Sequence, residues 1–182
     1  MKERIAVIDG LRSPIAKANG KLNDVSADNL GAIITKELVL RNNLEYKLFD
    51  EVIMGNVAQP ANAANIARVM AIRAGFPQST PAYTVHRNCA SGMQSISSAI
   101  EKLHSNQGDL YLVGGMESMS NIPLLYSDEF RNFITKFTYS KSLAQKLKIL
   151  SSFRLGFLKP TIGLISGLTD PISGKIMGIT AE

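Results

Sequence analysis

The sequence contains only one cysteine and two histidines among its 182 residues. A single cysteine excludes an intrachain disulfide bond. These few scattered side chains also do not form a zinc site, which needs four ligands at close spacing, so we predict no bound metal. A lone cysteine is most often a small buried hydrophobic residue, so any chemical role for Cys89 has to follow from its surroundings.

Long apolar runs are missing as well. None approaches the roughly 18 residues that a membrane-spanning helix needs. The first ten residues are too few and too charged for the apolar part of a signal peptide, so we expect a cytoplasmic protein. Hydrophobic residues make up 45% of the chain and charged residues 19%, which is typical of a globular protein with a buried core.

Acidic residues are absent between positions 131 and 159, where seven basic residues lie. The rest of the chain has 13 basic and 15 acidic residues, so the net charge of +5 comes from this one stretch. A local basic stretch indicates a local anionic partner. We expect no nucleic acid among the partners.

The apolar pattern predicts an α/β fold. Four short, continuous apolar runs are typical of strands covered on both faces; they lie at 4–9, 51–57, 82–86 and 109–114. Helical patterns lie between them, at 27–40, at 65–74 and from 89 onwards. The order β-α-β-α-β-α-β predicts an open, mostly parallel sheet.

The pattern changes after Gly115, since residues 117–182 contain no strong strand and many Ser, Gly and Pro residues. Leu143, Leu147 and Leu150 have helical spacing. We therefore predict a core domain at 1–118 and an α-rich loop region at 119–182.

Cys89 lies where the third predicted strand gives way to a helix. Sites in open α/β sheets form at the carboxyl ends of the strands. The first turn of a helix offers unpaired N–H groups and the positive end of the dipole, and both favour a thiolate. The small residues Ala90, Ser91 and Gly92 leave room for a substrate. We predict that Cys89 is a nucleophile and that nearby N–H groups stabilise an oxyanion.

No proton acceptor for this nucleophile is evident in the sequence. His86 lies three residues before Cys89 in a strand, where such side chains point to opposite faces. His104 lies fifteen residues along the predicted helix, about 22 Å away. Neither histidine is expected to be the base.

Five groups of short segments, in the same order along the chain, resemble the thiolase family, the acetyl-CoA acyltransferases. The segments are GLRSPI at 10–15, EVIMGNV at 51–57 with NIAR at 65–68, NCASG at 88–92, GGMESMS at 114–120, and GLTD at 167–170 with MGITAE at 177–182. The resemblance implies a thiolase-like βαβαβαβ half with a CoA-binding loop region at 119–182. It also implies that Cys89 carries the acyl group as a thioester.

The resemblance implies further residues and partners. A coenzyme A thioester would be the substrate, with no covalently bound cofactor, and fatty acid or ketoacyl-CoA metabolism would be the context. The substrate would be bound by Ser91, Gly92, Met177, Lys148 and Arg154. A homo-oligomer is expected, as is contact of the basic stretch with a partner subunit or a membrane surface. In this family a second cysteine and a histidine come from a second half, whose motifs this sequence does not contain.

Three alternatives stay open at this point. The chain is an inactive fragment that needs the missing half, or a related condensing enzyme of the β-ketoacyl synthase type, or a non-enzymatic scaffold that binds through the basic stretch. The glycine-rich segment at 114–120 favours a thiolase over a synthase. A scaffold would bind an anionic partner in a salt-sensitive way, with no dependence on Cys89.

Overall fold

The computed structural model describes residues 4–182, apart from the side chains of residues 162 and 164. The chain forms two compact units, one ending at Asn121 and the other comprising Ile122–Glu182. The first unit contains, in chain order, α1 (Ala27–Arg41), β1 (Glu51–Gly55), α2 (Ile66–Ala74), β2 (Ala82–Val85), α3 (Ser91–His104) and β3 (Tyr111–Gly115). Short 3-10 helices lie at Tyr46–Leu48 and Met119–Asn121.

The sheet of the first unit is parallel, in the order β2-β1-β3. β1 is central and nearly inaccessible to water, as its uninterrupted apolar sequence predicts. Alternate residues of β1 point to opposite faces of the sheet. Val52 and Met54 join the core formed with α1 and α2, while Gly55 contacts the first turn of α3. The sheet is therefore covered by helices on both faces.

The ends of α2 show how local sequence sets the boundaries of an element. The Asn65 side chain accepts a hydrogen bond from the backbone N–H of Arg68, so the helix begins at a capped position. Gly75 follows the helix with φ +106°, a left-handed conformation that glycine adopts without strain. The predicted helix at 65–74 is confirmed within one residue.

The strand predicted at 4–9 is wrong. These residues pair with no strand in the described structure, and Val7 and Ile8 are exposed. The carboxylate of Asp9 instead accepts hydrogen bonds from Arg41 at 2.6 and 2.7 Å and from Asn42 at 2.7 Å, at the end of α1. A cavity of about 500 Å³, lined by residues 4–9, α1, α3 and β3, lies along the outer edge of β3. The described sheet therefore has three strands rather than four.

The second unit is rich in helices. Its elements are β4 (Leu124–Leu125), α4 (Asp128–Tyr139), α5 (Leu143–Leu150), a 3-10 helix at Leu155–Leu158, β5 (Thr161–Ile162), α6 (Gly163–Gly167) and α7 (Met177–Ala181). β4 and β5 form an antiparallel pair. α4 begins after Ser127, whose side chain accepts a hydrogen bond from the N–H of Phe130. None of the described helices is both long enough and apolar enough to cross a bilayer.

Asp50 joins the start of β1 to the chain that leads into β3. Its Oδ2 accepts hydrogen bonds from the backbone N–H groups of Asp109 at 2.7 Å and Leu110 at 2.9 Å. The N–H of Leu110, and then that of Asp109, hold the pKa of the Asp50 carboxyl below its ordinary value. Folding therefore favours the ionised form, and the stabilisation is present above the unfolded pKa, near 4.

We expect this stabilisation to be lost as the pH falls below about 4. Asp50→Asn keeps an accepting oxygen but not the charge, so it should lower the free energy of unfolding at pH 7 by no more than about 1 kcal/mol, because the carboxylate is largely in water. Urea unfolding at neutral and acidic pH measures the effect. The variant should lose less stability on acidification than the natural chain, whereas the matched variant Asp109→Asn should behave like the natural chain. An unchanged acid response in Asp50→Asn would contradict the assignment.

Candidate functional site

Cys89 lies in the turn between β2, which ends at Val85, and α3, which begins at Ser91. The helix begins two residues later than predicted, so Cys89 lies outside its first turn, separated from it by the N-cap residue Ala90. The thiol is exposed. This is the opposite of the buried, inert position that a lone cysteine usually occupies.

The turn around Cys89 is fixed by its own hydrogen bonds. Asn88 has φ +47°, in the left-handed region that asparagine tolerates better than most residues. The N–H of Ala90 donates to the carbonyl of Arg87, and the N–H of Ser91 donates to that of Asn88, both at 3.0 Å. The sharp reversal directs the chain from the strand into the helix and leaves Cys89 on the outside.

Ser91 closes this turn with its side chain. The hydroxyl accepts from the N–H of Arg87 at 2.8 Å and donates to the carbonyl of Asn88 at 2.6 Å, and the residue is buried. The substrate-binding role expected for Ser91 stays a prediction, since its hydroxyl is engaged with the backbone on either side of Cys89.

The backbone N–H groups of the next two residues, Gly92 and Met93, are available as hydrogen-bond donors. The N–H groups of Ala90 and Ser91 bond within the turn, and that of Gln94 donates to Ala90. Among the described residues, no hydrogen bond is made by the N–H of Gly92 or Met93. These donors lie at the positive end of a 14-residue helix, where a developing negative charge is stabilised.

Glycines allow the backbone of α3 to lie in direct contact with the backbone of the sheet. A Cβ on Gly55 would lie 2.4 Å from the carbonyl carbon of Ser91, and one on Gly115 would lie 3.2 Å from the Cα of Gly92. The hydroxyl of Ser95 reaches the carbonyl oxygens of Gly92 at 2.7 Å and Gly114 at 2.9 Å. The turn carrying Cys89 is therefore held at the carboxyl ends of β1 and β3.

Sequence reasoning missed two residues that tie these strand ends together. Glu117 accepts hydrogen bonds from the backbone N–H groups of Val57 at 2.8 Å and Ala58 at 3.1 Å, and from the amide of Asn56 at 3.1 Å. Asn56 is only 1% exposed, and its amide also donates to the carbonyl of Met116 at 2.8 Å. The signal was a polar residue directly after the apolar run of β1, together with an acid two residues after β3.

No described residue offers itself as the base. The sulfur of Cys89 has no hydrogen-bond partner in the part of the chain that the structure describes. His86 is exposed in the turn, and His104 ends α3 far from Cys89, in the lining of the cavity beside β3. That cavity does not include Cys89. Between residues 4 and 182 no three or more His, Cys, Asp or Glu side chains are grouped as metal ligands would be.

The remaining predicted site residues belong to the second unit. Met177 begins α7 and is exposed, Lys148 lies on the outside of α5, and Arg154 immediately precedes the 3-10 helix at Leu155–Leu158. The structure thus brings Cys89, Ser91 and Gly92 together at one turn. Binding roles for Met177, Lys148 and Arg154 stay predictions.

Comparison with known proteins identifies the family to which the chain is similar. The family model for the thiolase N-terminal domain matches residues 5–182. The chain is 34% identical over 178 residues to the mitochondrial trifunctional enzyme subunit beta of Bos taurus, covering 98% of this chain and 37% of that protein. It is 34% identical over 180 residues to the 3-ketoacyl-CoA thiolase of Aeromonas salmonicida (strain A449), covering 99% of this chain and 41% of that protein.

Solved structures agree with the sequence relatives. The acetyl-CoA acetyltransferase of Bacillus anthracis superposes with a TM-score of 0.75 at 31% identity, over 93% of this chain and 38% of that one. A thiolase from Ascaris suum in complex with coenzyme A gives a TM-score of 0.72 at 27% identity, over 93% of this chain and 39% of that one. The prediction of a thiolase-like α/β fold with a parallel sheet is confirmed. The chain spans about two fifths of the length of these relatives, and it belongs to the thiolase family through that family's N-terminal domain.

Proposed function

We propose that the chain provides the nucleophile of an acyl-CoA C-acyltransferase and that Cys89 carries the acyl group. The observation that supports this most directly is the exposed thiol in the turn that leads into α3, a helix whose first turn has the unengaged N–H groups of Gly92 and Met93. The Cys89 thiolate attacks the carbonyl carbon of an acyl-CoA thioester, and the two N–H groups hold the resulting oxyanion. The bond from carbon to the CoA sulfur then breaks, and CoA leaves as a thiolate.

The second half of the reaction needs a proton acceptor as well. Transfer of the acyl group to the methyl carbon of acetyl-CoA forms a carbon–carbon bond, breaks the bond to the Cys89 sulfur and removes a proton from that methyl group. The described residues offer no base within reach of Cys89. We propose that this step uses groups from outside the 182 residues and that the isolated chain carries out acylation without turnover.

Coenzyme A is the proposed ligand of the second unit. Lys148 and Arg154 are exposed cations of the kind that bind phosphate groups, and Met177 would contact the acyl part. Ser91 and Gly92 would bind the substrate through the turn itself. A homo-oligomer and contact of the basic stretch with a partner subunit or a membrane surface belong to the same proposal. A cytoplasmic location stays a prediction, since several relatives are named as mitochondrial.

A comparison of two acyl donors tests the proposal. The purified chain is incubated with acetyl-CoA or with acetylated acyl carrier protein, and intact-mass spectrometry follows the gain of one acetyl group. We expect acetylation from acetyl-CoA only, on the peptide that contains Cys89, and no repeated thiolysis of acetoacetyl-CoA. Acetylation from the carrier protein alone would indicate the synthase-type reaction instead. Robust turnover by the isolated chain would show that it contains its own base.

A further inference from the structure

Glu117 joins the ends of β1 and β3 through its side chain. Its Oε2 accepts a hydrogen bond from the backbone N–H of Val57 at 2.8 Å, and its Oε1 accepts one from that of Ala58 at 3.1 Å. Both donors follow the carboxyl end of β1, and Glu117 follows that of β3. The carboxylate therefore continues the connection between the two strands beyond the last pair of their ladder.

Asn56 extends this connection to the third strand of the sheet. Its backbone N–H donates to the carbonyl of Val85, the last residue of β2, at 3.2 Å. Its side-chain amide donates to the carbonyl of Met116 at 2.8 Å and to Oε1 of Glu117 at 3.1 Å. The Oδ1 of this buried side chain has no hydrogen-bond partner among the described residues. The two donated bonds therefore set the orientation of the amide, since an unpaired buried acceptor costs stability.

The turn that carries Cys89 is attached to these strand ends on both of its sides. It leaves the sheet after Val85, whose carbonyl accepts the hydrogen bond from Asn56. It enters α3 where the helix backbone contacts Gly55 and Gly115, the last residues of β1 and β3. The connection through the carboxylate follows directly after both of these contacts in the chain. A shift of one strand end against the other would therefore displace the start of the helix.

We propose that Glu117 is a positioning residue for acyl transfer to Cys89. It makes no hydrogen bond to the thiol in the described chain. It acts by holding the end of β1 against the end of β3, which fixes the N–H groups of Gly92 and Met93 relative to the sulfur. This inference rests on the proposed function of Cys89 as the acyl carrier. A carboxylate suits the role because N–H groups bind a charged acceptor more strongly than a neutral one.

Asp50 provides a matched comparison at the opposite end of the same two strands. It directly precedes β1, and its Oδ2 likewise accepts hydrogen bonds from two consecutive backbone N–H groups, those of Asp109 and Leu110. A carboxylate that only stabilises the sheet would have similar effects at either end. A positioning residue acts only at the end where the turn of Cys89 lies, so the two substitutions should differ in acyl transfer.

Kinetics of acetyl transfer test the inference. Transfer from acetyl-CoA to the whole chain is followed by intact mass at several acetyl-CoA concentrations, for the natural chain, Glu117→Gln and Asp50→Asn. Glutamine keeps the shape of the side chain but has one accepting oxygen instead of two. In Glu117→Gln the rate at saturating acetyl-CoA should fall about tenfold, because even a shift of about 1 Å costs about a hundredfold. The half-saturating concentration should not change, and Asp50→Asn should transfer at the natural rate.

A second readout separates the position of the N–H groups from the state of the thiol. Alkylation of Cys89 by iodoacetamide forms no oxyanion, so its rate should be the same in all three chains. Far-UV circular dichroism establishes that the variants keep their helices. If Glu117→Gln does not fold, Glu117→Asp, which retracts the carboxylate by one methylene, is measured in its place with the same expectations.

Several results would overturn the inference while leaving the proposed function intact. They are an undiminished rate in Glu117→Gln beside an acetylated natural chain, an equal loss in Asp50→Asn, a change confined to the half-saturating concentration, or a parallel fall in alkylation. If the natural chain is not acetylated at all, the proposed function fails, and this inference fails with it.

Discussion

Replacement of Cys89 by serine should reduce acyl transfer from acetyl-CoA to the chain by about a thousandfold or more, the scale of loss seen when an enzyme's nucleophile is removed. A serine hydroxyl stays protonated without a base, and no described residue next to the turn provides one. The thiol needs less help, since sulfur is intrinsically more nucleophilic than a hydroxyl oxygen. The rate of acetyl incorporation, followed by intact mass, measures the difference.

The chain offers a clean background for this experiment because Cys89 is its only cysteine. Any thioester that is sensitive to hydroxylamine has to be on that residue. Ser97→Ala is a matched control on the same helix, since its hydroxyl only reaches the carbonyl of Met93, at 3.3 Å. It should acetylate at the natural rate. Iodoacetamide should label the natural chain and Ser97→Ala at one site and leave Cys89→Ser unlabelled.

Acetylation that persists in Cys89→Ser at an unchanged rate would contradict the role of the thiol. It would place the acyl group on a lysine or another nucleophile, and the exposure of Cys89 would then have no part in the chemistry. Slow, scattered acetylation of lysines in every variant is a background reaction, and peptide mapping separates it from transfer to a single residue.

The parts of the fold that could be predicted from the sequence are those with local signals. The apolar run at 51–57 predicted a buried strand, and β1 occupies Glu51–Gly55. Gly75 predicted the end of α2 because a left-handed residue has to follow the helix, and its φ is +106°. The turn at Cys89 belongs to the same class, since a strand, three small residues and a helical pattern lie next to one another in the chain.

The parts that could not be predicted depend on distant residues. The apolar run at 4–9 has the composition of a strand, but a strand also needs a partner, and the ion pair between Asp9 and Arg41 joins residues 32 positions apart. The hydrogen bonds from Val57 and Ala58 to Glu117 span about 60 positions. Neither arrangement leaves a periodic signal. The edge of β3 that pairs with no strand of the described residues, and the tie between the strand ends, therefore emerged only from the structure.

The contact between Gly55 and the first turn of α3 carries the second large expected effect. A Cβ at position 55 would lie 2.4 Å from the carbonyl carbon of Ser91 and 2.6 Å from the backbone nitrogen of Gly92. Both are main-chain atoms, which cannot rotate out of the way as a flexible side chain does. Gly55→Ala therefore requires the start of α3 to move away from β1.

We expect Gly55→Ala to lower the free energy of unfolding by about 3 kcal/mol, at the upper end of the cost of overpacking a core. Urea unfolding measures this loss. Gly114→Ala is the matched control on the neighbouring strand, because its Cβ would meet only the end of the Met54 side chain, with the Sδ at 3.3 Å and the Cε at 3.7 Å. That side chain is flexible, so the control should change stability by no more than about 1 kcal/mol.

Gly55→Ala also tests whether the contact between Gly55 and α3 sets the position of the Cys89 thiol, in addition to its effect on stability. In the folded Gly55→Ala chain, in water without urea, we expect the displaced helix start to move Cys89 and the N–H groups of Gly92 and Met93 relative to one another. Acetylation of Cys89 by acetyl-CoA should then fall by about a hundredfold, since a shift of about 1 Å costs catalysis that much, while Gly114→Ala acetylates normally. Equal stability loss in the two glycine variants, or normal acetylation in a destabilised Gly55→Ala, would show that the glycine contact does not set the position of the thiol.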